Sequence, residues 1–261
     1  MSRILLWPLA IAVALSVGVA NAAEDVAGPT CPPDFSCFPP QPRDGACQHP
    51  AIVLDAQSKS TRYEDSPLSR KYEKACIAQA GSSVVRRGNT LRLTFSNGRQ
   101  KTYKDDAAGC DQGRESCKQY LLYDYFPASR LLLINVAYNE SQQWFLVSQQ
   151  DGKELQIVAP PGYSPDRKWL ASVYWTDGGD DGNNGVDIVP ASLDPNGTAF
   201  HYRPKDYELW EYVRWDGNDR LVLKVTWRPG TESELVTWPA EVVRVNGRWQ
   251  LNKLPPTRPR P

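Results

Sequence analysis

Histidine is nearly missing from this chain. His49 and His201 are the only two in 261 residues. A Ser-His-Asp hydrolase would therefore have to use one of these two positions. His49 stands between Cys47 and Pro50, which predicts a surface loop. His201 lies in Phe200-His201-Tyr202, where strand alternation points it away from both aromatic neighbours. No Gly-x-Ser-x-Gly elbow accompanies either, because Gly162-Tyr163-Ser164-Pro165-Asp166 lacks the second glycine, and no Ser-x-x-Lys occurs. Cys-x-x-Cys pairs are also missing, which disfavours a zinc site. Charge is balanced at 30 basic and 30 acidic residues, which argues against nucleic acid or an anionic membrane as main partner. Only one long apolar run exists, so no stable membrane insertion is expected beyond it.

That run, Ile4 to Ala20, follows Arg3 and ends in Ala20-Asn21-Ala22, the pattern of a secretory signal peptide over residues 1–22. It predicts an exported, periplasmic or secreted protein. Six cysteines follow: Cys31, Cys37, Cys47, Cys76, Cys110 and Cys117. An even count behind a leader predicts three disulfides. Short spacings favour Cys31–Cys37 and Cys110–Cys117, leaving Cys47–Cys76, although six cysteines allow 15 connectivities.

Residues 23–46 are Pro-rich without apolar periodicity and suggest an extended arm pinned by cysteines. Residues 47–118 form a disulfide-bearing region with one helix and a hairpin. The helix is predicted over Pro67 to Ala80, capped by Ser66 and ended by Gly81, with Leu68, Tyr72 and Cys76 along its apolar face. Alternating Leu91, Leu93 and Phe95 lead into a turn at Asn97-Gly98. From 119 to 254 short strands recur with turn signals between them, including Asp151-Gly152 and Asn246-Gly247, and residues 255–261 are a Pro-rich tail. The expected fold class is all-β and antiparallel, with one N-terminal helix.

A repeat runs through that β region. Phe126-Pro127-Ala128-Ser129-Arg130-Leu131-Leu132-Leu133 is echoed at Tyr163 to Leu170 and more loosely at Trp215 to Val222. Each copy is a polar turn entering a strong apolar strand. At Ser164-Pro165-Asp166-Arg167-Lys168-Trp169-Leu170-Ala171 the chain resembles the Ser-Pro-Asp-Gly-Lys-Trp-Leu-Ala signature of TolB-type and WD-repeat β-propellers, with Arg167 in place of the usual glycine. The resemblance implies a small or incomplete β-propeller; a β-sandwich is the alternative. It implies architecture and not an activity.

The most suggestive segment chemically is the Asp/Gly/Asn loop from Asp177 to Asp187. Asp177, Asp180, Asp181, Asn183, Asn184 and Asp187 cluster the oxygens that Ca²⁺ prefers, but Gly179 takes a ligand position and no closing Glu follows. A metal-free binding loop is expected. Trp210, Tyr212 and Trp215 could form an aromatic surface for a ligand, or pack as core. Asp180 or Asp181 with Glu208 or Glu211 could form a glycosidase pair, a weak signal among 30 acids. No catalytic residue, metal or cofactor is assigned. The expected function is binding of an unknown protein or envelope ligand by a non-enzymatic protein, such as an inhibitor or immunity-type protein; a two-carboxylate hydrolase acting on envelope polysaccharide is the alternative. Mass spectrometry of the unreduced, alkylated mature chain should find no labelled cysteine; one labelled at near-full occupancy would refute the three-bridge framework.

Overall fold

The computed structural model describes residues 44–47, 70–106, 108–109, 117–138, 141–174, 184–194, 199–204, 208–227 and 236–253. Helix α1 covers Arg70–Ala80; Ser66 and Pro67 to Ser69, where the sequence places its start, lie outside the described residues. Gly81 ends the helix at φ +72°, a left-handed conformation that costs glycine nothing. Cys76, on the buried face, is bonded to Cys47 with their Cα atoms 4.9 Å apart. Cys117 is also disulfide-bonded, while Cys31, Cys37 and Cys110 lie outside the described residues.

Among the described residues fifteen strands follow, all paired antiparallel, in four sheets. Sheet I joins β1 (Val84–Arg87), β2 (Thr90–Thr94) and β3 (Gln100–Lys104). Sheet II joins β4 (Gln119–Phe126), β5 (Leu131–Ala137), β6 (Gln142–Ser148) and β7 (Glu154–Ile157). Sheet III joins β8 (Gly162–Tyr163), β9 (Trp169–Tyr174), β10 (Gly185–Pro190) and β11 (Phe200–Tyr202). Sheet IV joins β12 (Glu208–Trp215), β13 (Arg220–Trp227), β14 (Val236–Val245) and β15 (Arg248–Lys253). In every sheet the spatial order follows the chain.

The sequence repeat now has a structural meaning. Its three copies are the turns joining the first strand to the second in sheets II, III and IV. Arg130 (φ 53°), Arg167 (φ 59°) and Gly217 (φ 68°) take the left-handed position in these turns. Arg167 thus adopts the conformation that glycine would supply in the matching signature. Sheets II and IV also share a bulge in their first strand, at Tyr123 and Val213.

Alternation sorts the side chains into three apolar layers. Leu122, Leu132, Ile134 and Val147 of sheet II pack with Leu91 and Leu93 of sheet I and with α1. Leu121, Leu131, Leu133 and Leu146, on the opposite face of sheet II, meet Leu170 and Val189 of sheet III. Trp169, Ala171, Val173, Val186 and Ile188 of sheet III then meet Trp210, Leu221, Leu223, Val225 and Trp238 of sheet IV. Sheets II and III are therefore covered on both faces, so Leu131–Ala137 reads as a continuous apolar run. β14 runs unbroken through Pro239. Pro239 pairs with Lys224 of β13, and the described pairing with β15 begins at Ala240.

Buried carboxylates join these layers. Glu73 of α1, 2% exposed, accepts from Arg86 Nη2 at 2.6 Å, from Arg86 Nε and Arg70 Nη1 at 3.0 Å each, and from the backbone N–H of Leu122 at 2.9 Å. Asp105 accepts from Arg70, Arg86 and the Tyr120 N–H. Asp124 accepts the N–H of Cys47 at 3.0 Å, and Gly45 lies so close to Asp124 that a Cβ there would sit 1.9 Å from its carboxylate. Glu73→Gln should lower unfolding free energy by about 3 kcal/mol, because it leaves two guanidinium groups with one buried acid. Urea unfolding checks this, and a loss below about 1 kcal/mol, the range of an exposed pair, would show that the cluster is solvated.

Candidate functional site

In sheets II, III and IV, the ends of the strands differ. Turns of the repeated type, those at Gly152 and Asn246-Gly247, and one longer connection, between Pro190 and Phe200, lie at one end. Longer connections leave from the other, between Tyr174 and Gly185, between Tyr202 and Glu208, and between Trp227 and Val236. Hydrogen bonds align the sheets. The Tyr163 hydroxyl donates to Ser129 Oγ at 2.7 Å, and Asp166 N–H donates to Asn218 Oδ1 at 3.0 Å, both at the tight-turn end. Asn184 Nδ2 donates to the Glu208 carbonyl at 3.0 Å at the connection end.

A polar cluster sits at the connection end between sheets III and IV. Lys253 of β15 and Glu208 of β12 come from opposite edges of sheet IV, yet Lys253 Nζ donates to Glu208 Oε1 at 2.7 Å. The Tyr202 hydroxyl of sheet III donates to Glu208 Oε2 at 3.0 Å and accepts from Lys253 Nζ at 2.5 Å. Lys253 Nζ also lies 4.8 Å from the centre of the Tyr202 ring and 5.5 Å from that of Trp210. Burial works against the Lys253 ammonium, but its bonds to Glu208 and Tyr202 outweigh that and hold its pKa above the ordinary lysine value. Burial pushes the Tyr202 phenol up; Lys253 opposes this and Glu208 reinforces it. Gly185 is required beside this cluster, with φ +140° and space for a Cβ only 2.0 Å from the Tyr202 carbonyl oxygen.

A second cluster lies on the other face of sheet III. Asp187, fully buried on β10, accepts from Val158 N–H at 2.9 Å, from His201 Nδ1 at 2.8 Å and from both terminal nitrogens of Arg203. Its cross-strand partner Ser172 donates to the Ala159 carbonyl at 2.7 Å and accepts from the Ala159 N–H at the same distance. Together Asp187 and Ser172 fasten the segment between sheets II and III. Ser172 is held by backbone on both counts, so this trio of Ser, His and Asp is a structural clamp and has no poised nucleophile.

Two expectations need correction. Asp187 is not part of a solvated loop: it is a strand residue facing inward, where its charge is compensated by Arg203. Trp210 and Tyr212 do not form an exposed aromatic surface. They are 1% and 9% exposed, because alternation in β12 turns both toward sheet III, and half-buried Trp215 packs against the same layer. Asn184 anchors the start of β10, while Asp177, Asp180, Asp181 and Asn183 lie outside the described residues, as does His49. His201 does point away from Phe200 and Tyr202, which join the apolar layer. Glu208 and Glu211 are bound by Lys253 and Lys224, the latter pair at 2.6 Å. Reasoning from sequence missed Lys253, Tyr202, Glu73 and Asp105. A usable signal existed for Asp124 and Asp187, since each interrupts a run of apolar residues and a charge there must find a partner.

Among the described residues, the one close grouping of metal-ligand types is Cys47, Cys76 and Asp124, whose sulfurs are spent in the disulfide. No helix among them is long and apolar enough to cross a membrane. No protein-family model, curated protein or solved structure matches the chain.

The raised groups set an alkaline limit. Tyr103, pushed far above an ordinary phenol by burial and then by Glu154, keeps a proton that the unfolded chain releases near pH 10. Tyr202 behaves alike. The raised Lys253 contributes fully below about pH 10.4, the free-lysine value, and its contribution is lost as pH climbs through the higher folded value. All three signs agree: stability should fall as pH rises above about 10, with less slope in Tyr103→Phe. Urea midpoints that stay flat to about pH 11, beyond both free values, would contradict this.

Proposed function

We propose that the chain is an exported, non-enzymatic binding protein of the periplasm whose sheets II, III and IV are blades of a small or incomplete propeller. It engages a protein or cell-envelope ligand at the connection end of sheets III and IV, and an inhibitor or immunity-type role for an exported enzyme fits best. The observation that carries this is the braced Tyr202–Glu208–Lys253 cluster standing among polar connections. Two of the three connections longer than five residues in sheets III and IV, Tyr174 to Gly185 and Trp227 to Val236, leave from the end that holds this cluster, and the third, Pro190 to Phe200, leaves from the other. Rigid strands presenting long polar connections are a common binding arrangement. The four-stranded meander repeated three times, each first turn holding a left-handed residue, supports the blade assignment.

A two-carboxylate hydrolase of envelope polysaccharide is less well supported. It needs one acid held protonated and a second free to attack or to activate water. Glu208 and Glu211 are each engaged by a lysine, and the buried Asp187 by Arg203 and backbone.

Tyr174 and Gly185 are cross-strand partners, so an Asn-Gly turn can replace the connection between them without disturbing register. Capture from periplasmic extract should retain a partner with the native chain and lose it with the shortened one, and a panel of glycans should show no turnover. Unchanged capture would remove the connection end from the binding surface. Glycan turnover abolished by Glu208→Gln would establish the hydrolase instead.

A further inference from the structure

The stack of sheets ends in two open faces that differ in charge. On the outer face of sheet IV, acids stand among the cations: Lys224 pairs with Glu211 at 2.6 Å, and Arg220 with Glu241 at 2.6 Å. Sheet I is different. Its inner face, with Val84, Leu91, Leu93 and Tyr103, belongs to the core shared with α1 and sheet II. Its outer face therefore carries the alternate residues, and register places them in rows. Arg87, Thr90 and Lys104 form one row across the three strands; Val85, Arg92 and Thr102 form the next. Thr94 and Gln100 follow. Arg87 and Lys104 are exposed and Arg92 is half-buried. None of the three makes an ion pair with a described residue, although Arg86 and Lys101, on the inner side of the same strands, both do. Among the described residues of these three strands no acid stands on this face; Asp106, two positions beyond Lys104, is taken by the Gly109 N–H.

We infer that the outer face of sheet I is a docking surface for an extended acidic segment of a partner protein, with carboxylates received by Arg87, Arg92 and Lys104. Strand neighbours lie about 4.8 Å apart, and same-face residues two positions apart about 6.8 Å. The three cations thus fall within about 10 Å of one another. Their mutual repulsion is relieved only by an anion from outside the sheet. The spacing favours an extended peptide, because its own same-side carboxylates also recur at about 6.8 Å and can follow Arg92 and then the Arg87/Lys104 row. Planar guanidinium groups receive carboxylates through paired N–H bonds, and the hydroxyls of Thr90, Thr94 and Thr102 add further donors beside them. The face has no aromatic ring for stacking a sugar. Three cations are also fewer than the roughly four to eight of a polybasic lipid-binding cluster. This surface belongs to a different sheet from the connection end and does not depend on it.

The test is titration of the full mature chain with a fluorescent peptide of alternating Glu and Thr, followed by anisotropy at low and high salt. Binding should weaken as salt rises. It should fall roughly tenfold or more in Arg87→Gln/Arg92→Gln/Lys104→Gln, since three exposed pairs contribute about that much together. Thr102→Glu, which seats a carboxylate beside Arg92, should compete with the peptide on its own and covers the case in which the triple variant is poorly folded. Equal affinity of native chain and variants, or no peptide binding at low salt, would overturn the proposal. Tighter binding of sulfated glycan or of anionic vesicles than of the peptide would overturn the choice of a protein partner.

Discussion

Everything in this fold depends on covering sheets II and III on both faces. A sheet buried on two sides has no solvent to satisfy a stray polar group, so each joint between layers must be closed by groups that satisfy one another. The chain meets this demand with carboxylates. Glu73 and Asp105 accept backbone N–H groups of β4 while binding the guanidinium groups of Arg70 and Arg86. Asp124 accepts from Cys47, and Asp187 from Val158. Asp44 accepts the N–H of Tyr163 at 2.7 Å. A single device, an ionised acid receiving an amide proton from the neighbouring element, recurs at successive joints. It gives orientation as well as attraction, because an N–H···O⁻ bond tolerates less sliding than apolar contact.

The same constraint explains what could be seen in the sequence. The strands, the repeat and the one helix were legible because burial writes itself into period and turn chemistry. Asn246-Gly247 at φ 51° and 80° is one such turn. Order of stacking was not legible. Continuous apolar runs such as Leu131–Ala137 signal two covered faces without saying what covers them. The site was harder still. Trp210, Tyr212 and Trp215 carry the same residue types whether they line a cleft or fill a core, and only the register of β12 decides. Lys253 and Glu208, 45 positions apart in sequence, meet across a whole sheet. No local pattern announces such a bond.

The role of the acids bears on chemistry as well. Thirty acidic residues invite a search for catalytic pairs, yet the buried ones are the structural ones. A carboxylate whose oxygens are taken by arginine and amide N–H groups suits a clamp and leaves little room for a substrate.

The segment Asp44–Cys47 has a consequence for how the chain assembles. Within four residues it bonds Tyr163, Tyr125 and Asp124 and carries the sulfur that joins Cys76. Asp44 lies 119 positions before Tyr163, and Cys47 lies 77 before Asp124. Contacts of such long range come late, because the intervening chain must first be ordered for the ends to meet cheaply. The seat of this segment exists only once β4 and β8 are in place. Cys47 and Cys76 thus tie α1 to a segment that is itself seated on sheets II and III, so the bridge fastens the helix to the β scaffold as well as to its own neighbour.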